Sequence, residues 1–231
     1  MRETLSIQHY LLFNVIIKIM SKNVSGADNP QGSPLVLEFQ NYDPSETTRQ
    51  APSSKVEVIA YLSGAAHDAS LNKKRRVRFV QKEKKWLKIL QLFLRKINYN
   101  SWIYKEGKDR DLYVLETLCQ EINFSFDPLN KSIEEKIFYV KGFFDAEGGV
   151  PRNGKRFYVQ FAQKSYKKIE QIKKSLDELG ISTGKIHNPS KNIDPNYWRI
   201  FVRTKSHKRF AKIVGSLHPI KSVILLERMV I

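Results

Sequence analysis

The sequence predicts an α+β protein made of two copies of one unit, and three observations carry that prediction. The apolar segments Tyr61-Leu-Ser-Gly-Ala-Ala-His-Asp68 and Tyr139-Val-Lys-Gly-Phe-Phe-Asp-Ala-Glu147 share a frame in which Gly64 and Gly142 correspond, 78 residues apart. Arg78-Phe-Val-Gln-Lys82 and Gln160-Phe-Ala-Gln-Lys164 follow them at an offset of 82 residues. Each copy then continues with a helical pattern, residues 86–97 and 169–179, and with two strand-like runs around a polar hairpin. The four-residue difference between the offsets lies in a turn, which is longer in the second copy (148–154) than in the first (70–74).

Taken in order, residues 1–55 read as a mostly disordered tail rich in Ser, Asn, Gln, Pro and Gly, with a short strand at 35–39. The apolar run at 10–20 is shorter than the roughly twenty residues a bilayer requires and is broken by Asn14 and Lys18, so no membrane span is expected. Met20 is an alternative start. The first repeat is expected over 56–130 and the second over 131–231.

In the second apolar helix, Gly142 and Ala146 stand four apart and leave one flank nearly bare of side chains, so two such helices can pack almost backbone to backbone. Glu147 falls at the helix C-terminus, where the macrodipole disfavours a lone carboxylate unless a cation offsets it; that is a seat for a divalent metal. Gly148 and Gly149 stop the helix, with glycine at C′. Asp145 is assigned a structural role.

Alternation in the next strand puts Val77 and Phe79 inward and Arg76 and Arg78 outward; in the second copy Val159 and Phe161 are inward, Tyr158 and Gln160 outward. The later hairpins add Lys105, Lys185, Arg199 and Arg203 to this outward set by similar logic.

The net charge of +17 is placed unevenly. Residues 1–55 hold five basic and five acidic side chains, so the whole excess belongs to the repeats. Such a balance favours phosphate contacts and a nucleic-acid partner. The single Cys119 excludes an internal disulfide and a cysteine-cluster zinc site, and fits a reducing, intracellular setting, cytoplasmic or within an organelle. No Walker loop, zinc-ligand spacing or serine-nucleophile frame appears.

The nonapeptide Val140 to Gly148, with its degenerate copy Leu62 to Ser70, resembles the motif of the LAGLIDADG homing endonucleases, single-chain two-motif type. The resemblance covers about residues 56–231. It implies two pseudo-symmetric αββαββα repeats, motif helices packed at the centre, and a saddle of two antiparallel four-stranded sheets on double-stranded DNA. It also implies a monomer, a reading frame that is intron-encoded or free-standing, and Mg²⁺-dependent phosphodiester hydrolysis with Glu147 and Asp68 as metal-binding carboxylates. Gln163 and Lys167 match a polar pair around the metal and water, Gln81 and Lys85 match it in the first repeat, and Lys221 matches a lysine that counters transition-state charge. The outward strand residues become candidate DNA contacts, with arginine suited to guanine and glutamine to adenine.

The helix frame places Ala69, not a carboxylate, opposite Glu147, and one residue is about 100° of helix rotation. Three readings stay open: a tightened last turn that still brings Asp68 to the site, a first repeat without catalysis, or a modified site of His67 with Asp68. The alternative function is a cleavage-deficient DNA- or RNA-binding protein of the same fold: a nickase, a maturase acting on intron RNA, or a transcription regulator.

Overall fold

The computed structural model describes residues 51–73, 75–107, 110–151 and 156–229. The expected tail, its strand at 35–39 and the apolar run at 10–20 lie outside the described residues. A compact unit spans Pro52–Ile231.

The two motif helices begin with the same device. Helix α1 (Lys55–Ala65) is capped by Ser54, whose side chain accepts from the Glu57 amide while Glu57 reaches back; α3 (Ile133–Glu147) repeats this with Ser132 and Glu135. Each capping box satisfies amides that have no partner within the helix. Past the caps, α1 and α3 lie against one another, and their glycines set the approach. A Cβ added at Gly64 would sit 2.1 Å from the Tyr139 carbonyl oxygen, and one at Gly142 2.1 Å from the Tyr61 carbonyl oxygen. The bare flank expected from the sequence is therefore used, reciprocally, by both helices.

After α1 the first repeat runs through β1 (Ala69–Asn72), β2 (Arg76–Gln81), α2 (Lys84–Lys96), β3 (Ser101–Lys105) and β4 (Tyr113–Thr117). These strands form an antiparallel sheet in the order β1-β2-β4-β3. The second repeat follows α3 with β5 (Gly148–Gly149), β6 (Gln160–Gln163), α4 (Tyr166–Glu178), β7 (Trp198–Phe201), α5 (His207–Ile213) and α6 (Pro219–Met229). Its sheet has the order β5-β6-β7, three strands where four were expected. The fourth position is filled by two isolated bridges, Thr183 with Val202 and His187 with Arg199. Three residues separate the bridges on one side and two on the other intervene across the ladder, so the segment cannot keep a regular register. The first repeat also ends without its closing helix: among the described residues, 118–132 form turns and a 3₁₀ turn at Pro128–Asn130.

Strand parity follows the alternation of the sequence. Val77, Phe79, Val159 and Phe161 are buried, and Arg76, Arg78, Tyr158 and Gln160 are not. Amphipathic α2 and α4 cover the inner faces with Trp86, Leu87, Leu90 and Leu94, and with Ile169, Ile172 and Leu176. One continuous apolar core holds residues from both repeats. No helix among the described residues is long and apolar enough to cross a membrane.

Candidate catalytic site at the ends of the motif helices

The two helix ends differ by one residue, and local geometry absorbs the difference. From Gly142 to Glu147 the chain is α-helical; from Gly64 it turns at Ala65 into a 3₁₀ turn, Ala66–Asp68. At about 1.5 Å per α residue and 2.0 Å per 3₁₀ residue, five α steps rise about 7.5 Å, and so do one α step and three 3₁₀ steps. The strands then start in matching register, Ala69 opposite Phe79 and Gly148 opposite Phe161. Ala69 is thus the counterpart of Gly148, and Asp68 of Glu147. Of the three readings of this departure, the geometry is that of the tightened turn.

Each carboxylate has a glutamine from the neighbouring strand. Gln81 Nε2 donates to Asp68 Oδ2, and Gln163 Nε2 donates to Glu147 Oε1 at 3.4 Å. Both glutamines sit two residues beyond an inward phenylalanine, Phe79 or Phe161, on the helix side of their sheets.

Burial pushes Glu147 up to about 7, and the charge of Asp68 adds to it; the hydrogen bond from Gln163 and the charge of Lys221 work against the rise. Burial likewise raises Asp68 to about 6 although the residue stands at the surface, with Lys221 and then Gln81 acting against it. The charge of Asp68 therefore reaches Glu147, and the charge of Lys221 acts on both. Lys221 Nζ donates to the carbonyl oxygens of Phe144 and Asp145, both at 2.8 Å, so the cation that the end of α3 calls for comes from α6.

Asp145 beside this end is 1% exposed. It accepts from Tyr61 Oη at 2.6 Å, from the Leu217 amide at 3.0 Å and from Ser216 Oγ, and Trp86 Nε1 donates to Tyr61 Oη at 3.1 Å. The network ties α1, α2 and the loop before α6 to the motif helix. A cleft of about 290 Å³ opens here, lined by Gln81, Asp145, Gly148, Gly149, His218 and Lys221 among others. Gly148 is needed for space and not for its backbone freedom. Its φ of −80° and ψ of 155° are extended, whereas an added Cβ would lie 2.1 Å from the Phe144 ring. The expected C′ glycine termination is not what ends α3.

Three other candidates make no hydrogen bond or ion pair to the carboxylates among the described residues. His67 hydrogen-bonds to Tyr139 Oη at 2.8 Å and packs 4.5 Å from the Phe143 ring; burial and then Lys168 push it down to about 4. Its Nε2 is engaged by Tyr139 and its ring packs against Phe143, the arrangement of a packing residue. No ion pair joins Lys85 or Lys167 to Asp68 or Glu147 among the described residues. Lys167 is exposed on α4, and Lys85 lines a separate lysine-rich pocket at the start of α2.

Of the outward set, Arg76 and Arg78 lie on the open face of the first sheet with Trp102 and Tyr104. Lys105 has the parity of Ile103 and stands on the helix side, contrary to its expected position. Gln160 pairs with Gly149 and Phe201, and Tyr158 packs its ring against Phe201 at 6.0 Å. Arg199 lies by the rings of Tyr197 and Phe201, with its guanidinium carbon 5.2 and 5.8 Å from their centres. Lys185 is exposed between the two bridges, and Arg203 is engaged through Nε with the Thr183 carbonyl at 2.9 Å.

No group of three His, Cys, Asp or Glu side chains suited to a metal occurs among the described residues. Asp68 and Glu147 remain, and such a pair fits a hard divalent cation that keeps several waters and takes one or two carboxylates together with substrate phosphates.

Residues 134–215 match the family described as LAGLIDADG-like domain. Homing endonuclease I-ApeI from Aeropyrum pernix is 33% identical over 93 residues, a match that spans 40% of this chain and 40% of that relative. The chain is thus similar to LAGLIDADG proteins over its second repeat, and it spans about 40% of the length of the curated relative it matches. Among solved structures of the LAGLIDADG fold, I-DmoI in complex with DNA and Mn is 19% identical with a TM-score of 0.54, covering 70% of this chain and 98% of that one. I-DmoI in complex with DNA and Ca is 18% identical with a TM-score of 0.57, covering 76% and 100%. Full-length DUF199/WhiA from Thermatoga maritima is 16% identical with a TM-score of 0.59, covering 79% and 64%. At these identities the likeness is one of fold. In the LAGLIDADG frame the sequence reading missed Ser216, Leu217 and the Trp86–Tyr61 link, which no local pattern marks because their partners are distant in sequence.

Proposed function

We propose that this chain is a site-specific, double-stranded DNA endonuclease that hydrolyses phosphodiester bonds with a divalent cation, Mg²⁺ being the natural choice. The observation that carries this reading is the matched placement of Asp68 and Glu147, one at the end of each motif helix and each held by its own glutamine from the neighbouring strand. The named relatives point the same way: one is called a homing endonuclease, and the I-DmoI structures hold DNA with Mn or Ca.

Asp68 and Glu147 would hold the cation, whose chemistry is to lower the pKa of a bound water and to stabilise the charge developing on the phosphate. Gln81 and Gln163 keep one oxygen of each carboxylate fixed. Lys221, anchored on the last carbonyls of α3, supplies positive potential beside the reacting phosphate. The outer arginines and lysines bind the backbone at a cost that rises with salt. Both motif helices come from one chain, so the central interface is complete in a monomer.

A second reading, a binding protein of the same fold that does not cleave, is supported by the likeness to DUF199/WhiA. Cleavage of a randomised duplex pool by the purified chain in Mg²⁺, beside Glu147→Gln, separates the two. Double-strand cuts lost in the variant support the endonuclease; nicks alone mean that only one carboxylate site is competent. Binding without any cut transfers the assignment to the second reading.

A further inference from the structure

The open face of the first sheet hides a carboxylate. Glu116 of β4 lies between Arg78 of β2 and Trp102 of β3 in the register and is only 4% exposed. Tyr104 Oη donates to its Oε1 at 3.1 Å, Arg76 Nη1 lies 3.5 Å from its Oε2, and Arg78 Nε lies 3.8 Å from its Oε1. Arg78 Nη2 also pairs with Glu106, and the Arg76 guanidinium lies 5.7 Å from the Trp102 ring.

On a surface that meets phosphates, a carboxylate lowers affinity, and burying one requires good partners. Glu116 is too deep to reach a base edge. What it does is hold two arginines that are open to solvent: their side chains remain 50% and 25% exposed for Arg76 and Arg78. A guanidinium already kept in one orientation gives up less freedom on meeting a planar acceptor pair. The second sheet has no such device, for β6 and β7 carry no carboxylate.

We propose that Glu116 is a positioning residue that fixes Arg76 and Arg78 for reading guanine in the major groove, so that the first sheet discriminates bases where these arginines land. This rests on the double-stranded DNA reading above. The guanine edge offers O6 and N7 as a pair of acceptors suited to an arginine fork.

The full chain is used to select its preferred duplex from a randomised pool without divalent metal, and each base pair is then substituted in competition binding. Glu116→Gln and Arg78→Lys are profiled in parallel, with thermal unfolding of each. The expected result is discrimination of about ten- to a hundredfold at one or two G·C pairs, reduced to within about threefold at the same pairs by either variant, with other positions unchanged. If both variants keep the positional profile, or weaken all positions equally, the inference is overturned while DNA binding stands. If no duplex is enriched at all, the DNA reading falls, and this inference with it.

Discussion

Gly64 and Gly142 meet across the central helix pair as mirror partners, each with its Cα against the backbone of the turn that carries the other. Neither site accepts a methyl group without moving the opposite backbone, which cannot retreat because it belongs to a helix. Gly64→Ala and Gly142→Ala are each expected to cost at least about 2–3 kcal/mol, and by similar amounts, in denaturant unfolding. A loss at one position only would refute the reciprocal packing.

The 3₁₀ turn, and not the helix frame, decides which first-repeat residue faces Glu147. A residue at 69 already belongs to β1, paired with Phe79. Asp68→Ala is expected to reduce Mg²⁺-dependent cleavage by on the order of 10² or more, and adding Ala69→Asp to it is expected to restore nothing. Recovery of rate in the double variant would reinstate the helix-frame alignment.

Both carboxylates are raised in the folded protein, Asp68 from 3.8 to about 6 and Glu147 from 4.5 to about 7. Folded protein therefore holds protons that unfolded chains release, and this opposes folding as pH rises. The penalty is absent below the ordinary carboxylate range, grows between about pH 4 and 7, and is complete above that. Glu147→Gln should raise metal-free thermal stability at pH 8, on the order of 1 kcal/mol after screening at this half-open site, or about 2–4 °C. At pH 4 the variant should show no gain; melting curves in chelator at the two pH values check the sign.

The same titration governs the cation. Both groups must be ionised to bind it, so thermal stabilisation by Mn²⁺ or Mg²⁺ should be clear at pH 8, weaken through pH 7 and vanish near pH 5.5. Calorimetry of the DNA-free chain provides the check, and Glu147→Gln should abolish the effect at every pH.

Asp145 accepts from three donors in the core, with Lys221 on its own carbonyl. Asp145→Asn would set an NH₂ against one of those donors and should cost about 1–3 kcal/mol. Because the loop at 214–218 hangs from this carboxylate, its amide hydrogen exchange should accelerate more than that of α1. Uniform exchange changes would place the network elsewhere.

What the sequence by itself determined follows from short-range rules. The duplication, the bare glycine flank of the motif helix, and the parity of Val77, Phe79, Val159 and Phe161 all rest on residues whose neighbours are one helical turn or one strand step away, or on a repeat that shows the same pattern twice. The tertiary structure decided the rest. Asp68 replaces the expected position 69 only because strand register, fixed by core packing, demands that the helix end one residue sooner, and a 3₁₀ turn supplies the same rise. Lys105 falls on the helix side because pairing with Tyr113 sets its parity, which a count along one strand places only once the partner is known. Lys221 reaches the end of α3 across 76 residues, and Glu116 gathers Arg76 from 40 residues away. Such contacts are chosen by the global fold, where burial and charge are satisfied together, and no local pattern encodes them.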